Sequence, residues 1–198
     1  MKESLKILVH ALSLVLVCPL WLTSNLEARL SSTSETVFQL WAHSLSIIPG
    51  IPGVYLRRAY YCCTLESCSR TAYIGYGTIF SNRRAIIEKS VYIGTYTLLG
   101  DVILREGCLI GSRASLISGG QQHQRSADGK WLSADTDNYK RIEINAGAWL
   151  GEACLVAADV GKGAMIAAGS VVASKVPADV MVAGNPARFV KRFSDPED

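Results

Sequence analysis

The chain changes its hydrophobic pattern twice. From Leu5 to Leu22 it reads LKILVHALSLVLVCPLWL, apolar apart from Lys6 and His10, with small breaks at Ser13 and Pro19. That length approaches what a bilayer core requires, and three readings compete: a cleaved signal peptide, a transmembrane or re-entrant anchor, and a buried amphipathic helix. The signal peptide is disfavoured, because no Ala-x-Ala site follows the basic start at Lys2 and Lys6. A second apolar run, VFQLWAHSLSIIPGIPGVYL from Val37 to Leu56, turns basic and aromatic at Arg57-Arg58-Ala59-Tyr60-Tyr61. Within it, Pro49-Gly50-Ile51-Pro52-Gly53 predicts a helix, a turn and then a short segment, since proline removes a donor and glycine loosens the backbone. Aromatics beside arginines after an apolar run suit the boundary between lipid head groups and acyl chains; an ordinary helical subdomain packed on the main body is the other reading. Residues 1–70 are thus expected to form an apolar, helical, membrane-associating extension that attaches the chain to the cytoplasmic face of a membrane without crossing it.

After Thr71 an aliphatic or aromatic residue recurs every sixth position, usually followed by a small one: Ile74-Gly75, Phe80-Ser81, Ile87-Glu88, Ile93-Gly94, Leu99-Gly100, Ile110-Gly111 and Leu116-Ile117. The register slips near Ala85 and Ile103. The pattern resumes at Ile144-Asn145, Leu150-Gly151, Val156-Ala157, Val160-Gly161, Ile166-Ala167 and Val172-Ala173. A period of six is neither the 3.6 of a helix nor the alternation of a hairpin sheet; it is the repeat of stacked parallel β-helix coils. Three hexads close one triangular coil, so a left-handed parallel β-helix of about five coils is expected over residues 71–177, with a tail at 178–198.

Composition narrows the possible functions. The 198 residues suffice for one main domain and an extension. The net charge is only +3 and the Lys and Arg residues are scattered, which argues against nucleic-acid binding. The six cysteines lack the density of a secreted disulfide framework and read as reduced thiols. With three histidines, two of them in the apolar extension, the ligand count for a metal site of the γ-carbonic-anhydrase kind fails, and no metal is expected.

Between the two runs of hexads lies Ser118-Gly119-Gly120-Gln121-Gln122-His123-Gln124-Arg125, then SADGKWLSADTDNYKR to Arg141. A polar excursion over 118–141 cannot lie inside a narrow prism, and loops of that length in compact domains tend to be functional. His123 is the chain's one histidine outside the apolar region.

The hexads, this loop, the Trp149-Leu150-Gly151 restart, the coil VGKGAMIAAGSVVASKVP and the ending Val182-Ala183-Gly184-Asn185-Pro186-Ala187-Arg188 together resemble the hexapeptide-repeat acyltransferases. Within them the chain is similar to the galactoside, maltose and nodulation-factor O-acetyltransferases, and more so to sugar O-acetyltransferases of surface polysaccharide biosynthesis. The resemblance covers Thr71 to Phe193. It implies a homotrimer with active sites in the grooves between neighbours, an acyl-CoA co-substrate, above all acetyl-CoA, and His123 as the base that takes the acceptor hydroxyl's proton. An alcohol is a weak nucleophile at neutral pH and imidazole titrates near 6.5, so the chemistry agrees. Glu143 and Asp101 are the candidates for the carboxylate that orients the base. The resemblance further implies Asn82 and Glu143 beside the acceptor, Trp149 at the thioester end of the co-substrate, Gly151 and Ala168 along its pantetheine arm, and Arg188 and Lys191 at its phosphates. The chain departs from the family at Ala173-Ser174, which precede Lys175 where Thr-Lys is common, and at Gln121, where many relatives carry a second histidine.

The expected function is therefore an acyl-CoA-dependent O-acyltransferase acting on a sugar, glycan precursor or lipid-linked glycan. The competing readings are a non-catalytic β-helix scaffold and an N-acyltransferase on an amino-sugar. Serine acetyltransferases carry a longer all-helical N-terminal domain and an adjacent Asp-His in the loop, neither of which is present.

Overall fold

Each hexad folds as a two- or three-residue strand whose last residue points inward, followed by a small residue that turns the corner. The computed structural model describes residues 3–118, 125–132 and 139–193, and in it the hexads form a left-handed parallel β-helix of about five coils preceded by four helices. The first coil is β1 (Ser67–Cys68), β2 (Tyr73–Ile74) and β3 (Ile79–Phe80). The second is β4 (Ile86–Ile87), β5 (Tyr92–Ile93) and β6 (Leu98–Leu99); the third is β7 (Val102–Leu104), β8 (Leu109–Ile110) and β9 (Ser115–Leu116). After the loop come β10 (Ile142–Ile144), β11 (Trp149–Leu150) and β12 (Leu155–Val156), then a bridge at Val160 with β13 (Met165–Ile166) and β14 (Val171–Val172). A bridge at Val176 and β15 (Val180–Ala183) lead to β16 (Arg188–Arg192), which turns back antiparallel to β15.

Three faces result. The first stacks β1, β4, β7 and β10; the second stacks β2, β5, β8, β11, β13 and β15; the third stacks β3, β6, β9, β12 and β14. Ile74, Ile93, Ile110, Leu150 and Ile166 form one inward ladder, and Phe80, Leu99, Leu116, Val156 and Val172 another, all buried. The slip near Ile103 has a local cause: β7 has three residues, and Val102 and Leu104 point inward while Ile103 faces out. Corners are tight. A Cβ on Gly151 would lie 2.5 Å from the backbone nitrogen of Ala168 in the next coil, so a side chain there would push the coils apart.

The stretch from Leu5 to Leu22 is not one helix. It bends by 59° between α1 (Glu3–Leu16) and α2 (Cys18–Leu30), where Pro19 occupies the first turn of α2 and has no N–H to offer a continuing helix. Among the described residues, no single helix is long and apolar enough to cross a membrane; the bent pair reaches that length and composition only together. α3 (Thr36–Ser46) follows. The expected turn and short segment after it are instead α4 (Gly50–Thr64), 15 residues long. Pro49 is its N-cap and Pro52 lies in its first turn, where N–H groups have no helical acceptor, so both prolines start the helix instead of breaking it.

These helices close one end of the prism. Tyr61 of α4 packs edge-on against Phe80 at 4.6 Å, and Phe38 and Tyr60 continue the aromatic layer. The buried Arg57 guanidinium fixes the join: its Nη1 donates to the carbonyls of Leu45, Ser46 and Ile48 at the end of α3, and its Nε to Ile74 of the first coil at 3.2 Å. Gly53 makes room, since a Cβ there would meet the Ile48 carbonyl oxygen at 1.9 Å. At the other end of α3, the Glu27 carboxylate accepts the N–H groups of Val37 and Phe38 at 2.8 and 3.0 Å and pairs with Arg83. α1 packs on α4 with its polar side inward: His10 and Ser13 are buried, while Leu5, Ile7, Leu8, Leu12, Val15 and Leu16 are exposed.

Burial alone would raise Glu27, but the Val37 N–H, Arg83, the Ser34 hydroxyl and the Phe38 N–H outweigh it and hold the carboxyl at about 2. Because the folded value is depressed, its contribution is present above the ordinary carboxylate range and is lost as pH falls towards about 2. Glu27→Gln is expected to cost about 1–2 kcal/mol at neutral pH, the range for losing a helix N-terminal cap. Urea titrations of both proteins from neutral to acid pH should show that difference shrinking; a difference independent of pH would contradict the assignment.

Candidate active site

The long loop leaves the prism after Ser118 and returns at Tyr139, at the edge where the third face passes into the first. Residues 119–124, His123 among them, lie outside the described residues. What the structure describes is the ground from which the loop rises. Asn82, Asp101 and Ser118 follow β3, β6 and β9 and stack at this edge in successive coils. Ser118 is buried, and its Oγ accepts the backbone N–H of Asp101 at 2.8 Å, while its carbonyl accepts the N–H of Lys140 at 3.3 Å. The two ends of the loop are thereby tied to each other and to the coil beneath.

Asp101 is fully buried and holds two cations. Arg84 Nε donates to Oδ2 at 2.8 Å, and Arg141 Nε donates to Oδ1 at 2.6 Å. Arg141 also donates to Glu66 Oε2 at 2.6 Å and to the Arg84 carbonyl at 2.8 Å. Its hydrogen bonds to Glu66, opposed by burial and reinforced by Asp101, push the guanidinium above its ordinary range. Asn82 Oδ1 accepts the backbone N–H of Arg84 at 3.0 Å, fixing the corner that carries this arginine.

Beside this cluster opens a cleft of 350 Å³ bordered by Asn82, Arg84, Tyr139 and, from the helical region, Glu35 and Gln39. Burial raises the Glu35 carboxyl above its ordinary value despite hydrogen bonds from Arg83. The cleft is of small-molecule scale, and its described lining residues carry hydroxyl, amide, guanidinium and carboxyl groups that could orient a polyhydroxylated ligand.

The expected site residues fall on different parts of the prism. Asn82 and Asp101 share the loop's edge. Glu143, on β10, faces outward from the first face, and its Oε1 accepts Arg105 Nε at 2.5 Å. Trp149 stands on the outer side of the second face, in line with Tyr73, Tyr92 and Leu109, all exposed. Gly151 and Ala168 are neighbours at the edge between the second and third faces. Arg188 and Lys191 lie on β16, beyond the last coil. The third face therefore separates the loop's edge from the strip of small residues, and one chain alone does not join them. Sequence reasoning missed Glu66, Arg84, Arg141, Glu35 and Tyr139; Arg84 and Arg141 precede the first-face strands of the coils on either side of Asp101, a stacking that becomes visible only once the coils are aligned.

Removing the two cations leaves Asp101 buried and unpaired, whereas removing Asp101 leaves two arginines that can reach water. Arg84→Gln with Arg141→Gln is thus expected to cost about 3–5 kcal/mol and Asp101→Asn about 1–2 kcal/mol in denaturant titrations. The opposite order would contradict the account of this cluster.

No family model matches the chain. Serine acetyltransferase 4 of Arabidopsis thaliana is 34% identical over 107 residues, 49% of this chain and 25% of that protein. The chain thus spans a quarter of that relative. Among solved structures, galactoside acetyltransferase in complex with coenzyme A superposes with a TM-score of 0.62 at 18% identity, over 87% of this chain and 92% of the other. A maltose O-acetyltransferase from Clostridium difficile 630 gives 0.57 at 13% identity, over 79% and 87%. These likenesses span the helical region as well as the prism, and with the coil geometry they establish that the chain has the hexapeptide-repeat acetyltransferase fold.

Proposed function

We propose that this protein is an acyl-CoA-dependent O-acyltransferase, with acetyl-CoA as donor and a sugar hydroxyl of a glycan precursor as acceptor. The observation that carries the reading is the loop itself: a histidine-bearing excursion anchored at both ends over a buried carboxylate and two arginines, beside a polar cleft. A scaffold has no need of such an arrangement. The maltose and galactoside acetyltransferase neighbours support a sugar acceptor.

The residues suit a thin co-substrate with a polyanionic end. Ala168 is exposed at one edge, where Gly151 lets the coils come close, and Arg188 and Lys191 lie on the strand next to that edge's last coil. Acyl-CoA supplies the activated thioester. His123 Nε2 or Nδ1 would accept the acceptor's hydroxyl proton as its oxygen attacks the thioester carbonyl, and return that proton to the departing thiolate, so that an ester and a free thiol result. Because the third face separates loop and strip within one chain, the reading includes a homotrimer in which the loop of one copy meets the strip of the next. The exposed ladder Tyr73, Tyr92, Leu109 and Trp149 supports such an interface.

The exposed apolar side of α1 supports attachment to a membrane's cytoplasmic face, with α1 lying in the interface and the prism outside it. An acceptor carried on a lipid follows from that placement.

His123→Ala is expected to lower acetyl transfer to a sugar acceptor by on the order of 100- to 10,000-fold, with coenzyme A binding and the oligomer, read by calorimetry and ultracentrifugation, unchanged. Turnover within a factor of a few of the parent would remove His123 as the base. Leu8→Ser, Leu12→Ser and Leu16→Ser together should weaken binding to phospholipid vesicles by on the order of 100-fold without lowering thermal stability, since all three side chains are already exposed. Undiminished vesicle flotation would refute the orientation of α1.

A further inference from the structure

Where α1, α4 and the start of the first coil meet, a cleft of 310 Å³ is bordered by Lys6, His10, Arg58, Arg70 and Thr71, with Tyr55 as its wall. Among the described residues, every titratable side chain lining it apart from the tyrosine is a base. Elsewhere among the described residues, Arg83, Arg84, Arg105, Arg113 and Arg141 each face a carboxylate. Here His10, Arg58 and Arg70 converge, and none of the described residues lining the space is acidic.

Two buried donors in the cleft lack acceptors. His10 is 7% exposed and neither ring nitrogen is hydrogen-bonded, and Arg58 Nε is likewise buried without a partner. Buried polar groups are normally satisfied, and those that are not call for a ligand or a specific cause. Arg58 is held ready: its guanidinium carbon sits 4.4 Å above the Tyr55 ring, and its Nη1 makes only a 3.5 Å contact to the Ala72 carbonyl. Burial, and then the charges of Arg58 and Arg70, push the His10 imidazole below its usual value, the condition an arriving anion would relieve.

The rim identifies the anion's carrier. Ile7 also lines the cleft, and Leu5, Leu8 and Leu12 continue from it along the exposed side of α1. We propose that this cleft binds the phosphate of a membrane lipid, with Arg58, Arg70, His10 and Lys6 around the headgroup and the acyl chains along the outer side of α1. Guanidinium groups suit phosphate because their fork matches two oxygens at once. The proposal rests on the membrane attachment described above and adds to it the chemistry recognised: an anion of phosphorus, beyond negative surface charge.

The test uses the full chain and three vesicle types: phosphatidylcholine alone, phosphatidylcholine with phosphatidic acid, and phosphatidylcholine with oleate matched to the same surface potential. The parent protein is expected to bind phosphatidate vesicles on the order of tenfold more tightly than oleate vesicles. Arg58→Gln and, separately, Arg70→Gln should abolish that preference while retaining binding to neutral vesicles. Arg70 is an exposed rim residue, so its variant keeps the test valid if Arg58→Gln fails to fold. Equal binding to both charged vesicles, or a preference that survives Arg70→Gln, would overturn the phosphate pocket alone. Inorganic phosphate that binds in calorimetry while the vesicle preference is missing would overturn the lipid as its source. Failure to bind any vesicle would overturn the membrane reading as well.

Discussion

The width of the prism governs the rest of the molecule. Three short strands enclose a narrow space, so each inward ladder must be aliphatic or aromatic, and each corner must let adjacent coils come close. Gly151 illustrates the limit, since even a methyl group there would collide with the backbone of the coil above. Side chains that perform chemistry have no place inside. They must stand on outer faces, at edges, or on segments expelled from the stack.

The loop at residues 118–141 is such a segment, and its attachment explains why it costs the stack so little. Asp101 is the one carboxylate that the described structure fully buries, and it is tolerable there because Arg84 and Arg141 take its two oxygens. Arg141 resumes the coil after the loop, so the pairing also brings the returning chain to the correct edge. The register of β10 against β7, Ile142 with Val102 and Ile144 with Leu104, then continues as if nothing had intervened.

The open end of a solenoid exposes its core and needs a cap. Here the cap is helical, joined through Tyr61 against Phe80 and through Arg57, whose Nη1 and Nε donate to carbonyls at the end of α3 and in the first coil. Since the inner surface of the cap belongs to α3 and α4, α1 is left on the outside. Its apolar side faces away from the protein, and its polar side, with His10, faces the basic cleft.

The period of six by itself determined the prism, its inward residues and the place where the chain must leave it, because stacking at a fixed repeat demands the same residue type at the same position in every coil. It also marked His123 as exceptional, a lone histidine on a polar excursion. The helical third was less legible. Proline and glycine at residues 49–53 read as a break, yet in the first turn of a helix those residues meet no steric or hydrogen-bonding objection, and α4 begins there. Tertiary structure alone decided the Asp101 cluster and the basic cleft, since Glu66, Arg84, Asp101 and Arg141 come from different coils, and Lys6 and His10 of α1 meet Arg58 and Arg70 only when coils stack and helices dock. It decided as well that the loop and the strip at Gly151 lie on opposite edges of one face. A linear repeat specifies what each position must be, but not which edge it will share with residues from another coil.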